Sequence, residues 1–184
     1  PKKQPIEPPP AFPLALKAPM DATRERILFV FGFNLRYAKA LLADLPADRA
    51  TEQPAGLMNH PVWHLGHLCF VFDLAGRMLG EGPICPRNWT HLLGQGTTPE
   101  NDPAKYPPLA ELAEKLEAQH TRLAEAYRNF PEDPFDTPIP DEKVRAVFGT
   151  VGNLVVFLLT GHEMTHLGQI CAWRRAMGLG RVGP

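Results

Sequence analysis

This chain has no apolar run near the roughly 20 residues that a bilayer-spanning helix needs, so a membrane-spanning reading is removed first. Its longest candidate, Leu154 to Leu159, is short and runs on into His162, Glu163 and His166, and it reads as the buried face of a helix. An excess of one charge is also missing. The formal net charge is −1, which gives no electrostatic case for nucleic acid or an anionic membrane surface as a partner. Cysteines are few and odd in number, three in 184 residues, which argues against a disulfide framework and for a reducing compartment, the cytoplasm. No secretory leader is visible, and the start at Pro1 instead of Met is read as processing or trimming of the N-terminus. Alternation at period two is absent throughout, so no strand is expected.

What is present is enough apolar material, 44% of the residues, for one domain with a substantial core. Residues 1–20 differ from the rest: Pro1, Pro5, Pro8, Pro9, Pro10, Pro13 and Pro19 favour an extended arm, because proline fixes φ and donates no backbone hydrogen bond. Four helical segments follow within residues 21–178, before a short C-terminal tail, 179–184. The first runs from Asp21, as N-cap, to Leu45, with a stripe of Ile27, Leu28, Phe31, Leu35, Ala38, Leu42 and Leu45. The second opens at Pro61 and ends near Gly80, with Trp63, His67, Phe70, Val71, Leu74 and Met78 on one face. The third follows Pro107 and Pro108 and carries Leu109, Leu112, Leu116, Leu123 and Phe130. The fourth spans about Gly152 to Met177, with Val155, Leu159, His162, His166, Gln169 and Trp173 in line.

An all-α bundle is the economical fold for this pattern. The connection from Glu81 to Tyr106, about 26 residues, is far longer than adjacent antiparallel helices need, so it is expected to run the length of the bundle and leave the second and third helices parallel. Its apolar stretch from Trp89 to Gly96 is expected to pack on the bundle or cover its open end. The more acidic connection from Pro131 to Phe148 reads as a solvated loop.

The strongest chemical signal is His162-Glu163-Met164-Thr165-His166. Histidines at i and i+4 share one helix face, near enough for both rings to reach one ion about 2 Å away. The same letters spell the HExxH of zinc metalloproteases, whose Glu is the general base. That reading, a zinc hydrolase, lacks a third ligand downstream: no Asp, Glu or His follows His166, and Gln169 and Ala172 stand where the extended motif needs Gly and His. A third ligand therefore comes from upstream. The second helix offers His60, His64 and His67. Proline follows His60, so it is expected to be extended where the helix begins. His64 lies only about 60° around the helix from His67, so periodicity prefers His67, in line with the apolar face, without eliminating His64.

Trp63-His64-Leu65-Gly66-His67-Leu68 on one helix and Gly161-His162-Glu163-Met164-Thr165-His166-Leu167-Gly168-Gln169 on the last resemble the DinB-like (DinB/YfiT-like) superfamily. The resemblance covers residues 21 to 178 and implies a four-helix bundle with a long connection between helices 2 and 3. It also implies a metal held by one His from the second helix and an H-x3-H pair from the fourth. Carried onto this chain, the ligands are His67, His162 and His166, with Glu163 given no general role. Characterised relatives include transferases and isomerases that use low-molecular-weight thiols. The resemblance thus implies a metal-dependent enzyme acting on a small molecule, in class a thiol-dependent S-transferase, with a low-molecular-weight thiol as cofactor. A homodimer is expected from the same resemblance and from broadly apolar helix faces. Zinc is the first expectation for the ion, with nickel, iron and manganese also compatible with three imidazoles.

The competing reading is a non-catalytic metal-binding bundle serving self-association, in which the ion only cross-links helices. For the histidines themselves the competing reading is a hydrogen-bonded core group, which is costly for two rings on one apolar stripe. His120, between Leu116 and Leu123, reads as packing or a rim residue. Cys69 and Cys171 point away from the expected ion and read as small apolar groups. Arg174 and Arg175, near a helix C-terminus, read as surface charges complementing its dipole.

Overall fold

The computed structural model describes residues 20–183. The proline-rich arm, apart from Met20, lies outside the described residues, as does the side chain of Asp21. Among the described residues all regular structure is helical, save one isolated bridge between Pro138 and Thr150. Four long segments enclose the core: α1 (Met20–Leu42), α2 (Pro61–Met78), α4 (Leu109–Asn129), and a last helix formed by α6 (Val151–Phe157), a wide π turn (Leu158–His162) and α7 (Glu163–Ala176). Two short helices, α3 (Trp89–Leu93) and α5 (Glu142–Phe148), lie in the connections.

Each start has a local cause. Pro61 supplies the fixed φ of a first helical turn, and His60, held extended before it, caps α2 by accepting from the Trp63 N–H at 3.1 Å. Asp141 caps α5 through Lys143 N and Val144 N. Thr150 caps α6 through Asn153 N. The apolar stripes close over one core in which Phe31, Leu41, Leu65, Phe72, Leu116, Leu159 and Trp173 are all but inaccessible. A buried leucine or phenylalanine contributes about 1.5–3 kcal/mol by leaving water.

Side-chain pairings set the directions. Cys69 Sγ meets the Leu112 carbonyl, Asp73 meets Gln119, and Arg122 reaches both Asp73 and the Gly82 carbonyl. Partners ascend together, so α2 and α4 run parallel, as the length of their connection predicts. Arg24 bonds the Tyr127 carbonyl while Phe31 stacks on His120, so α1 and α4 run antiparallel. Asn34 reaches Thr160 and Arg174 reaches Leu41, so α1 and the last helix are parallel.

Several expectations need correction. The Pro131–Phe148 connection is not simply solvated: it contains a 3₁₀ turn with buried Phe135, buried Ile139, and α5. Gln169 is exposed and Ile170 takes its inward place, because the π turn shifts the phase of the last helix against a strict 3.6 period. Arg174 is no surface charge. Its guanidinium is buried and grips Asp44 with two nitrogens at 2.6 and 3.1 Å, while donating to the Leu41 and Gly180 carbonyls. A planar fork can satisfy all of these at once, which a lysine could not. The connection after α2 packs inward as expected, with Trp89 and Leu93 buried.

Candidate metal centre

His67 on α2, His162 at the end of the π turn and His166 on α7 come together, each offering a ring nitrogen, with these atoms within 4.8 Å of one another. Nitrogens about 2.0–2.1 Å from a shared tetrahedral ion stand about 3.4 Å apart, so coordination draws the widest pair inward by little more than an ångström. His60 and His64 are not in this group. Neither are the cysteines: Cys69 bonds the Leu112 carbonyl, Cys85 the Cys69 carbonyl, and Cys171 lies near Tyr37 and Arg175.

The surroundings orient the rings. His67 Nδ1 donates to the Leu93 carbonyl at 2.8 Å, so its Nε2 is the nitrogen left for an ion, and the Trp63 indole stacks on the ring at 4.8 Å between centroids. Gly66 makes this arrangement fit. A Cβ there would stand 2.5 Å from a Leu93 methyl, so the bare backbone lets the short helix α3 settle on α2 and bring its carbonyl to His67. His166 meets His64 through the two Nδ1 atoms at 2.9 Å, both rings buried. With His166 Nε2 bare for an ion, its Nδ1–H donates and His64 accepts. His162 Nδ1 is buried without a partner.

The electrostatics agree with ligand chemistry, because a ligating imidazole must be neutral. Burial, with the neighbouring histidines opposing charge, holds His166 down to about 2 and His162 to about 4; burial also lowers His67 despite the Leu93 hydrogen bond. Three neutral imidazoles, two of them oriented by hydrogen bonds and with no carboxylate among them, fit a divalent ion and leave a position for a further ligand. A cavity of about 480 Å³ lies alongside, lined in part by His67 and His162.

Glu163 faces elsewhere. Its fully buried Oε1 accepts from His120 Nε2 at 2.7 Å, and the carboxyl does not line the cavity. Burial raises its pKa, the His120 hydrogen bond opposing. The base required by the HExxH reading is therefore occupied in the core between α1, α4 and α7. His120 is accordingly no rim residue: it is buried, sandwiched against Phe31 at 3.8 Å. Asn34, also buried, donates to the Thr160 carbonyl within the π turn, where the wider helix leaves that carbonyl accessible. Sequence reading missed this pair and Asn34. The only available signal was the polar character of Asn34, His120 and Glu163 on or beside apolar stripes.

The described residues thus form an all-helical arrangement in which a histidine of the second long helix meets an H-x3-H pair of the last, a group that could hold a metal ion. The model of the DinB superfamily matches residues 32–170. The chain belongs to that superfamily. No curated protein matches it.

Proposed function

We propose that this protein is a four-helix-bundle metalloenzyme of the DinB superfamily. In this reading His67, His162 and His166 hold a divalent ion, zinc in the first instance, and the substrate is a small molecule. The reaction class is transfer involving a low-molecular-weight thiol. The observation that carries the reading is the convergence of three neutral imidazoles beside a cavity that two of them line. When bound, the ion supplies Lewis acidity and favours the ionised form of a water or thiol ligand at neutral pH. The chain's own residues do the rest: Leu93 and His64 fix the rings of His67 and His166, and the cavity gives a small molecule a place beside the centre. An ion that only cross-linked helices would need no such cavity.

Two measurements test the proposal. Protein purified without chelator or affinity metal is expected to carry near-stoichiometric metal that disappears in both His67→Ala and His162→Ala. In cobalt-substituted protein, a small thiol is expected to shift the visible ligand-field bands. Metal unaffected by His67→Ala sinks the two-helix centre; bands inert to every thiol tried sink the thiol chemistry while leaving the centre intact.

A further inference from the structure

The cavity beside the histidines has a pronounced chemical bias. Its volume, about 480 Å³, falls in the range of small-molecule sites. Phe70 and Leu74 of α2, Val147 and Phe148 of α5, and Leu154 and Phe157 of α6 build most of its wall. Val147 is 74% exposed and Phe157 38%, apolar surface that a bound molecule would cover. The polar lining besides the histidines is Gln95 and Lys143, with no carboxylate. Among the described residues Lys143 makes no ion pair and the Gln95 side chain no hydrogen bond, whereas seven of the other lysines and arginines pair with a carboxylate within 3.2 Å. The acidic neighbours of Lys143 are turned to other work: Asp141 caps α5, and Glu142 is exposed towards Arg145. A cation is thus left at the edge of an apolar chamber whose far chemistry, under the reading above, is also cationic.

We infer that the cavity takes an apolar organic anion, with an aryl or medium-length alkyl body against the phenylalanines and a single carboxylate or sulfonate at Lys143. The inference rests on the proposed metal-dependent function and narrows its substrate class. It disfavours highly polar substrates such as sugars and free amino acids, whose hydroxyl and ammonium groups would lose water against this wall without gaining partners. Gln95 supplies the remaining hydrogen-bonding group and can serve as donor or acceptor.

The test is a calorimetric titration of the full chain, with and without zinc, by three probes of one shape: 4-phenylbutyrate, 4-phenylbutanol and 4-phenylbutylamine. The acid is expected to bind at least fivefold more tightly than the alcohol, and the amine most weakly. Lys143→Ala is expected to erase the preference of acid over alcohol and leave the alcohol unchanged. Val147→Asp, at an exposed position that folding does not depend on, is expected to weaken the acid by fivefold or more. Equal binding of acid and alcohol, no binding of any probe at millimolar concentration, or a preference that survives Lys143→Ala each overturn the inference, the last because the anion would then be held by the ion. The two readings fail separately. A Lys143-dependent preference in protein that takes up no zinc upholds the cavity and defeats the metal centre; stoichiometric zinc without the preference does the reverse.

Discussion

Two polar clusters flank the same turn of the last helix, and they have been buried for opposite ends. On one side His162 and His166 meet His67, with ring nitrogens left bare beside a cavity. On the other side Glu163 meets His120, packed against Phe31 and Phe72. Residue types are nearly the same in both. The difference lies in where their hydrogen bonds go: His67 and His166 are held through their outer nitrogens by Leu93 and His64, so their inner nitrogens stay available, whereas His120 Nε2 and Glu163 Oε1 are spent on each other, which leaves His120 Nδ1 and Glu163 Oε2 buried without partners. A buried polar cluster therefore reads as a site when its hydrogen bonds point outward, and as a lock on helix register when they close inward.

The contrast is broken most severely on the histidine side. His166→Ala is expected to lower metal affinity about a thousandfold or more, because it removes a third of the ligand set, while the metal-free fold keeps its helicity; competition with a chromogenic chelator and circular dichroism check the two halves. On the inward side, Glu163→Ala is expected to lower stability by about 3 kcal/mol by leaving His120 buried without its partner, with metal stoichiometry unchanged. Denaturant unfolding measures the loss. Equal damage to metal binding from both substitutions would mean that the clusters form one unit.

Acid sharpens the comparison further. His60 lies outside both clusters, and burial lowers it to about 4, the hydrogen bond to the Glu100 carbonyl opposing. Its Nδ1 accepts from the Trp63 N–H, so protonation would set two donors against each other. Because the folded value lies below the unfolded one of about 6.5, the unfolded chain binds the proton first as pH falls. Stability from this group is complete above pH 6.5, declines between 6.5 and 4, and is then gone, a total of about 3 kcal/mol at most. Metal-free His60→Asn, which keeps a cap acceptor, is expected to show a shallower loss over that window in thermal melts at stepped pH. The smallest effect belongs to His64→Ala, which leaves three ligands in place and removes only the group holding His166. About ten- to a hundredfold weaker metal binding is expected, against no change in stoichiometry.

Much of the fold was legible. Proline at the start of α2, the leucine spacing of α4 and the i, i+4 histidines each carry their signal within a few residues, where helical geometry alone decides who shares a face. Helical geometry preferred His67 over His64 without eliminating it, and the family resemblance carried the choice; the structure brings His67 within 4.8 Å of the pair on the last helix. Other features gave no such signal. The π turn carries the Thr160 carbonyl that meets Asn34, 126 positions away in sequence, and buried Arg174 finds its partners in Asp44 and Leu41 at and just past the far end of α1. The cavity depends on α5, a short helix inside what reads as an acidic loop, whose apolar residues become a wall only when α2 and α6 face them.

The sequence by itself determined which residues could become helices, which faces were apolar, and that two imidazoles would stand one turn apart, because these are properties of neighbours within one or two turns. Only the tertiary structure decided which nitrogens of His67 and His166 are bare, that Glu163 turns inward to His120, and that a cation overlooks an apolar chamber. Those depend on partners brought by other helices, and a hydrogen bond made or denied across the core is not encoded in the spacing of either residue alone.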